Sequence, residues 1–187
     1  MPHKPLIIAE VKTHSPFGWK SDTSWDELFT IAESIGDIIS IHTDPRWNGS
    51  FELIKKAKAL TSKPILAKGI HETDDLITKA LETGADYVLV VGRIPSLSQE
   101  ILKKCMIEPT DLNGLKSIPA DMKVVWNSRD LNTGGLKKET FDEARKIFKG
   151  WLCQASNVRT IKGVNENADA VLVGTHLEEF AASLKSG

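Results

Sequence analysis

Glu10 and Lys12 stand two residues apart inside a short apolar run, Leu6-Ile7-Ile8-Ala9-Glu10-Val11-Lys12. On an extended strand that spacing sends both side chains to one face. A charge in a core is costly unless it is paired or used. The pair therefore marks a structural ion pair, a strand end that has reached water, or a reactive site. The chain repeats the device further on. Lys68, Glu108 and the Asn127-Ser128-Arg129-Asp130 segment each close an apolar run. A lysine beside a carboxylate in a partly dry pocket can act as general acid, with the carboxylate as base. Backbone N–H groups near Ser156 and Gly174-Thr175, each ahead of a helix start, suit a phosphate.

Bulk properties restrict the function classes. The 187 residues suffice for one domain, expected over 1–187, and carry a net charge of −1 with both signs interspersed. No basic block is visible, which speaks against nucleic acid. Cys105 and Cys153 lie in or beside apolar runs without metal or redox spacing and read as small buried thiols of a reducing compartment. No signal peptide and no membrane-length apolar run is present, so the expectation is a soluble, cytoplasmic protein with no membrane partner. His14, His42, His71 and His176 fall near the same strand ends, but no H-x-x-x-H spacing supports a metal site. Gly134-Gly135 reads as a turn.

The elements that must position these residues alternate. Strands are predicted at 6–11, 37–42, 64–67, 85–91, 105–108, 123–127, 150–155 and 168–173. Helices are predicted at 25–35, 51–60, 72–83, 98–104, 112–118, 138–148 and 177–184, with barely a turn at 160–166. Ser24 and Ser50 are the expected N-caps, and Gly84 the residue closing the third helix. Strict alternation argues for a parallel sheet closed as a single α/β (β/α)8 TIM barrel with several shortened outer helices. An open doubly wound sheet is the alternative, weakened because no glycine-rich dinucleotide fingerprint follows the first strand. In a barrel the active site forms at the C-terminal strand ends, where the residues above would converge.

Quoted in order, these residues resemble the indole-3-glycerol phosphate synthase family, the tryptophan-pathway barrel. The matching segments are Ile8-Ala9-Glu10-Val11-Lys12 with Ser15-Pro16, Thr43-Asp44 with Trp47-Asn48-Gly49-Ser50, and Pro64-Ile65-Leu66-Ala67-Lys68. They continue with Thr83-Gly84-Ala85-Asp86, Met106-Ile107-Glu108 with Asp111, Asn127-Ser128-Arg129-Asp130-Leu131, and Ala168-Asp169-Ala170-Val171-Leu172-Val173-Gly174-Thr175. The resemblance implies closure of a carboxyphenylamino-deoxyribulose phosphate to indole glycerol phosphate, with loss of carbon dioxide and water and no cofactor. It implies that Lys68 protonates the ketone oxygen and that Lys12 lies near the substrate carboxylate and serves as acid in the dehydration. Glu108 would be the base, Glu10 would orient the lysines, and Asn127 and Arg129 would position substrate and Glu108. Trp47 and Ile70 would line the substrate's aromatic part, and Ser15, Ser156, Asn157, Gly174 and Thr175 would hold its phosphate.

Three departures from the family pattern stand out. Gly69-Ile70 replaces the family's Asp-Phe, and Gln154-Ala155-Ser156-Asn157 replaces its Ser-Glu-Ser-Gly, so one family glutamate is an alanine here. The chain also starts almost at the first strand, where the family carries a helical extension. Two further readings therefore stay open: another phosphosugar enzyme, or a repurposed phosphate-binding barrel with weak or no synthase activity. The partner expected is a phosphorylated small molecule, with another tryptophan-pathway subunit as a further candidate.

Overall fold

The computed structural model describes residues 3–186. Eight parallel strands close on themselves in chain order: β1 (Leu6–Val11), β2 (Ile38–His42), β3 (Ile65–Lys68), β4 (Tyr87–Val91), β5 (Cys105–Glu108), β6 (Lys123–Asn127), β7 (Leu152–Ala155) and β8 (Ala170–Val173). The seam is a parallel β1–β8 pairing in which Ile8 faces Leu172. The helices are α1 (Trp25–Ile35), α2 (Phe51–Leu60), α3 (Asp74–Thr83), α4 (Gln99–Leu102), α5 (Leu112–Lys116), α6 (Phe141–Ile147) and α7 (Leu177–Lys185). The expected (β/α)8 barrel is the fold observed, and the open sheet is excluded by the closed seam.

Period-two alternation divides each strand between two cores. Ile7, Ala9 and Val11 face the helices, in the same cluster as Ile39, Ile65, Ala67, Leu28 and Phe180. Ile8, Leu66, Leu89, Met106, Val125, Cys153 and Leu172 fill the barrel interior. Both faces are covered, which is why the strands read as near-continuous apolar runs. The inward series ends at the C-terminal side in polar residues. It runs Ile8 to Glu10 on β1, Ile38 to His42 on β2, Leu66 to Lys68 on β3, Met106 to Glu108 on β5 and Val125 to Asn127 on β6.

Several elements start later than predicted. Asp37, Asp86 and Asp169 lie just before β2, β4 and β8, and their carboxylates accept the N–H of Ile7, Ile65 and Leu152 on the preceding strand in the barrel, at 2.8 Å each. These side chains stand in for ladder partners, so the strands begin only after them. The third helix starts at Asp74 because His71 adopts a left-handed φ of 51° and Thr73 is the N-cap. The sixth starts at Phe141 because Thr140 and Glu143 form a capping box. A 3₁₀ turn at Pro45–Trp47 was not predicted. Between β7 and β8 only a 3₁₀ turn, Ile161–Gly163, replaces a helix.

Candidate active site

Glu10 is the hub of the barrel mouth. It is 2% exposed. Lys68 Nζ reaches both of its oxygens at 3.0 Å, and the His42 ring nitrogen Nε2 hydrogen bonds Oε1. Burial pushes the Glu10 carboxyl up, but the Lys68 charge, the His42 hydrogen bond and the Lys12 charge outweigh it and hold it well below the usual carboxylate range. Gly174, at the end of β8, packs directly on this carboxylate: a Cβ there would lie 2.2 Å from Oε2. Register explains the gathering, since His42 and Lys68 are paired neighbours on β2 and β3.

Lys12 continues the inward face of β1 beyond Glu10. Its ammonium donates to Thr175 Oγ1 at 2.9 Å and lies 5.3 Å from the centre of the Trp19 ring. Burial lowers its pKa to about 8, with Glu10 opposing the shift and Lys68 and Arg129 adding to it.

Glu108 forms a second buried centre across the mouth, 2% exposed. Burial raises its pKa, against the charges of Lys68 and Lys137 and a 3.3 Å hydrogen bond from Asn127 Nδ2. Asn127 is a junction. Its Oδ1 accepts from Ser156 Oγ at 2.6 Å and from the Arg129 N–H at 2.9 Å. Arg129 is itself anchored by a 3.1 Å hydrogen bond to the Gly134 carbonyl.

Several of these groups surround one pocket. Lys12, Lys68, Glu108, Asn127, Arg129, His42, Ser15 and Ser156 supply its polar lining, and Trp47, Ile70, Leu89, Val91, Leu131 and Phe17 its apolar wall. Trp47 reaches the wall because Asn48 turns left-handed (φ 57°) and Gly49 crosses the His42 backbone, where a Cβ would lie 2.5 Å from the His42 carbonyl oxygen. The ring then stacks on His42 at 5.9 Å and 9°. Gly69 has a steric reason too: a Cβ would lie 2.7 Å from Thr43 Oγ1.

A smaller hollow adjoins the pocket: Glu10, Lys12, Lys68, Arg129, Ser156, Asn157, Thr175 and His176 give its polar lining, beside Gly174, Val158, Leu172 and Val173. Ser156 and Asn157 both hold left-handed backbone, with φ of 70° and 59°. Two non-glycine residues in that region carry strain, a feature that gathers at ligand sites.

The structure thus brings Lys12, Lys68, Glu108, Asn127, Arg129, Trp47 and Ile70 to one pocket, and Glu10, Ser156, Asn157, Gly174 and Thr175 to the adjoining hollow, where Glu10 grips Lys68. Ser15 lines the main pocket rather than that hollow, and its Oγ accepts the Phe17 N–H at 3.1 Å. Other strand-end residues serve the scaffold. Asp44 pairs with Arg46 at 2.6 Å, Arg93 with Asp74 at 2.6 Å, and Asp111 caps α5. His71 bridges Thr43 and the Leu89 carbonyl. Sequence reasoning placed His42 near the strand ends but assigned it no role, although its period-two position was the available signal. Nor did it find Lys137, whose ammonium donates to the Asn127 carbonyl at 2.7 Å. Among the described residues no cluster of three or more His, Cys, Asp or Glu side chains could hold a metal, and no helix is long and apolar enough to cross a membrane.

Fold and site together define a (β/α)8 barrel whose strand ends carry a buried lysine–carboxylate cluster beside an apolar wall. The family model for indole-3-glycerol phosphate synthase matches residues 1–183, and the chain belongs to that family. An indole-3-glycerol phosphate synthase of Sulfurisphaera tokodaii is 28% identical over 205 residues, covering 97% of this chain and 82% of that protein. One of Nautilia profundicola is 28% identical over 192 residues, covering 91% and 74%. For one of Prochlorococcus marinus, 30% identical, the match covers 70% of this chain and half of that protein. The crystal structure of 3-hexulose-6-phosphate synthase superposes with a TM-score of 0.66 at 16% identity, covering 95% of this chain and 99% of that one, a likeness of fold.

Proposed function

We propose that the chain is an indole-3-glycerol phosphate synthase-like carboxy-lyase. It would convert 1-(2-carboxyphenylamino)-1-deoxyribulose 5-phosphate to indole-3-glycerol phosphate, carbon dioxide and water. The observation that carries this reading is the division of the mouth: two lysines and two buried carboxylates stand between an aromatic and aliphatic wall and a polar hollow. A substrate with an aryl ring at one end and a phosphate at the other matches that order.

In this reading the aryl ring lies along Trp47, Ile70 and Leu131, and the phosphate takes Ser156, Asn157, Gly174 and Thr175. The ring carbon bearing the carboxylate attacks the ketone, and Lys68 delivers a proton to the ketone oxygen. Carbon dioxide then leaves, and its bonding pair restores the ring. Lys12 protonates the departing hydroxyl, and Glu108 takes the proton whose loss completes the indole. Glu10 holds Lys68 in place, and Asn127 holds Glu108. Burial keeps Glu108 a stronger base than a solvated carboxylate.

Turnover of the carboxyphenylamino substrate tests the reading, with Lys68→Ala as its control. The variant should keep the fold and lose about 10²–10⁴-fold in kcat, the usual contribution of a general acid. Wild-type turnover in Lys68→Ala would remove the acid from this position.

Ala155 favours a second reading, a phosphate-binding barrel with little or no synthase activity. Ala155 is the register neighbour of Asn127 and faces the barrel interior without a carboxylate. If the deficit matters, Ala155→Glu should raise kcat. Calorimetry with a phosphate-bearing substrate analogue should show binding in either reading, and no binding would refute the phosphate site.

A further inference from the structure

His42 sits in the charged layer without a step in the proposed reaction. It closes the inward series Ile38, Ser40, His42 of β2 and is 4% exposed. Its Nε2 engages the same Glu10 oxygen that Lys68 reaches at 3.0 Å. Its ring stacks on Trp47. Its other nitrogen, Nδ1, is buried without a partner. A buried polar atom without a partner costs stability and calls for an explanation.

That orphan fixes the ring's chemistry. Protonation would place a second N–H against no acceptor, in a layer that already holds Lys68 and Lys12. Burial likewise lowers the pKa of His42, against the pull of Glu10. The neutral ring has one proton, and the ionised Glu10 carboxylate can only accept, so the proton lies on Nε2.

We propose that His42 is a positioning residue: its Nε2–H clamps the Glu10 carboxylate that grips Lys68, while its ring face sets Trp47 against the pocket. One side chain thereby ties the acid–base layer to the aromatic wall. The groups facing Glu10 are Lys12 from its own strand, His42 from β2, Lys68 from β3, Glu108 from β5 and the Gly174 backbone from β8. Its bearing on rate rests on the synthase reading, whereas the clamp itself does not.

The test uses the whole chain as wild type, His42→Leu and His42→Gln. Leucine keeps bulk without a donor, and the glutamine amide can donate from nearly the same place. Two readouts need no turnover. Nitrogen NMR of the wild-type ring should show the Nε2–H tautomer, and an Nδ1–H tautomer would overturn the proposal. Carbon NMR of the Glu10 carboxyl should show its titration moving up by about one pH unit or more in His42→Leu, because the charged form loses a donor. His42→Gln should return at least half of that change. Equal Glu10 titrations in all three proteins would overturn the clamp. With the carboxyphenylamino substrate, His42→Leu should lose about tenfold or more in kcat with KM changed less than about threefold, and His42→Gln should recover most of it. Equal kcat losses in the two variants would reduce the residue to packing and overturn the proposal. If the wild type does not turn over, the synthase reading fails, and the tautomer and the Glu10 titration still decide the clamp. Should His42→Leu not fold, His42→Met, also without a donor, takes its place.

Discussion

Burial pushes the Lys12 ammonium down to about 8, close to the pH at which a general acid is most effective. An acid must carry its proton at the start of each turnover. In the proposed reaction kcat should therefore fall as pH rises through about 8, by about tenfold for each further pH unit where Lys12 chemistry limits the rate. Lys12→Arg keeps the charge but does not deprotonate in this range, so it should lower kcat and abolish the falling limb. A wild-type kcat that stays level from pH 7 to well above 8 would remove Lys12 from the acid role. Most of this constellation was legible in the sequence, because a charge closing an apolar run announces itself. His42 was legible in position and not in role. A histidine inside an apolar run reads as a core residue until its partner is known, and Glu10 lies 32 residues away.

At the scale of elements, the end of β8 works by what it lacks. Glu10 can turn both oxygens toward Lys68 because Gly174 offers no side chain on that side. Its φ is not left-handed, so the restriction is steric rather than conformational. Gly174→Ala should force the carboxylate off Lys68. Overpacking of this kind typically costs about 1–3 kcal/mol, and proposed turnover should fall with it. Gly163→Ala is the matched control, since its nearest neighbour would be 3.7 Å away, and it should leave the denaturation midpoint nearly unchanged. Equal midpoints for both variants would show that Glu10 has room to move. Strand and helix order followed from periodicity. The starts of β2, β4 and β8 did not, because Asp37, Asp86 and Asp169 bond across to the preceding strand, a role set by the closed sheet. The capping box of α6 was present in the sequence as Thr140 and Glu143, but Lys138 and Glu139 ahead of it look equally helical.

For the whole molecule, alternation of strands and helices was enough to read the barrel, whereas the depth to which its mouth buries charge was not. Burial follows from closure, which brings Glu10, Lys68 and Glu108 together from β1, β3 and β5. That burial sets stability against chemistry, and Glu108 shows it most directly. Its pKa is raised in the folded chain, burial being the largest cause. Below the unfolded value of about 4.5, folded and unfolded chains both hold the proton and Glu108 costs nothing. As pH rises, the unfolded chain releases it first, and stability falls until the folded group also ionises. Glu108→Gln removes this titration while nearly keeping the shape. The variant should therefore melt above the wild type at pH 7–8, with each kcal/mol gained worth ~2–4 °C at this chain length. The difference should close on acidification toward pH 4. In the same variant kcat for the proposed reaction should fall about 10²–10⁴-fold with a smaller change in KM, since only proton transfer is lost. Calorimetric scans of both proteins across that pH range, paired with turnover, decide the point. A melting difference independent of pH would trace the effect to packing rather than to the buried charge.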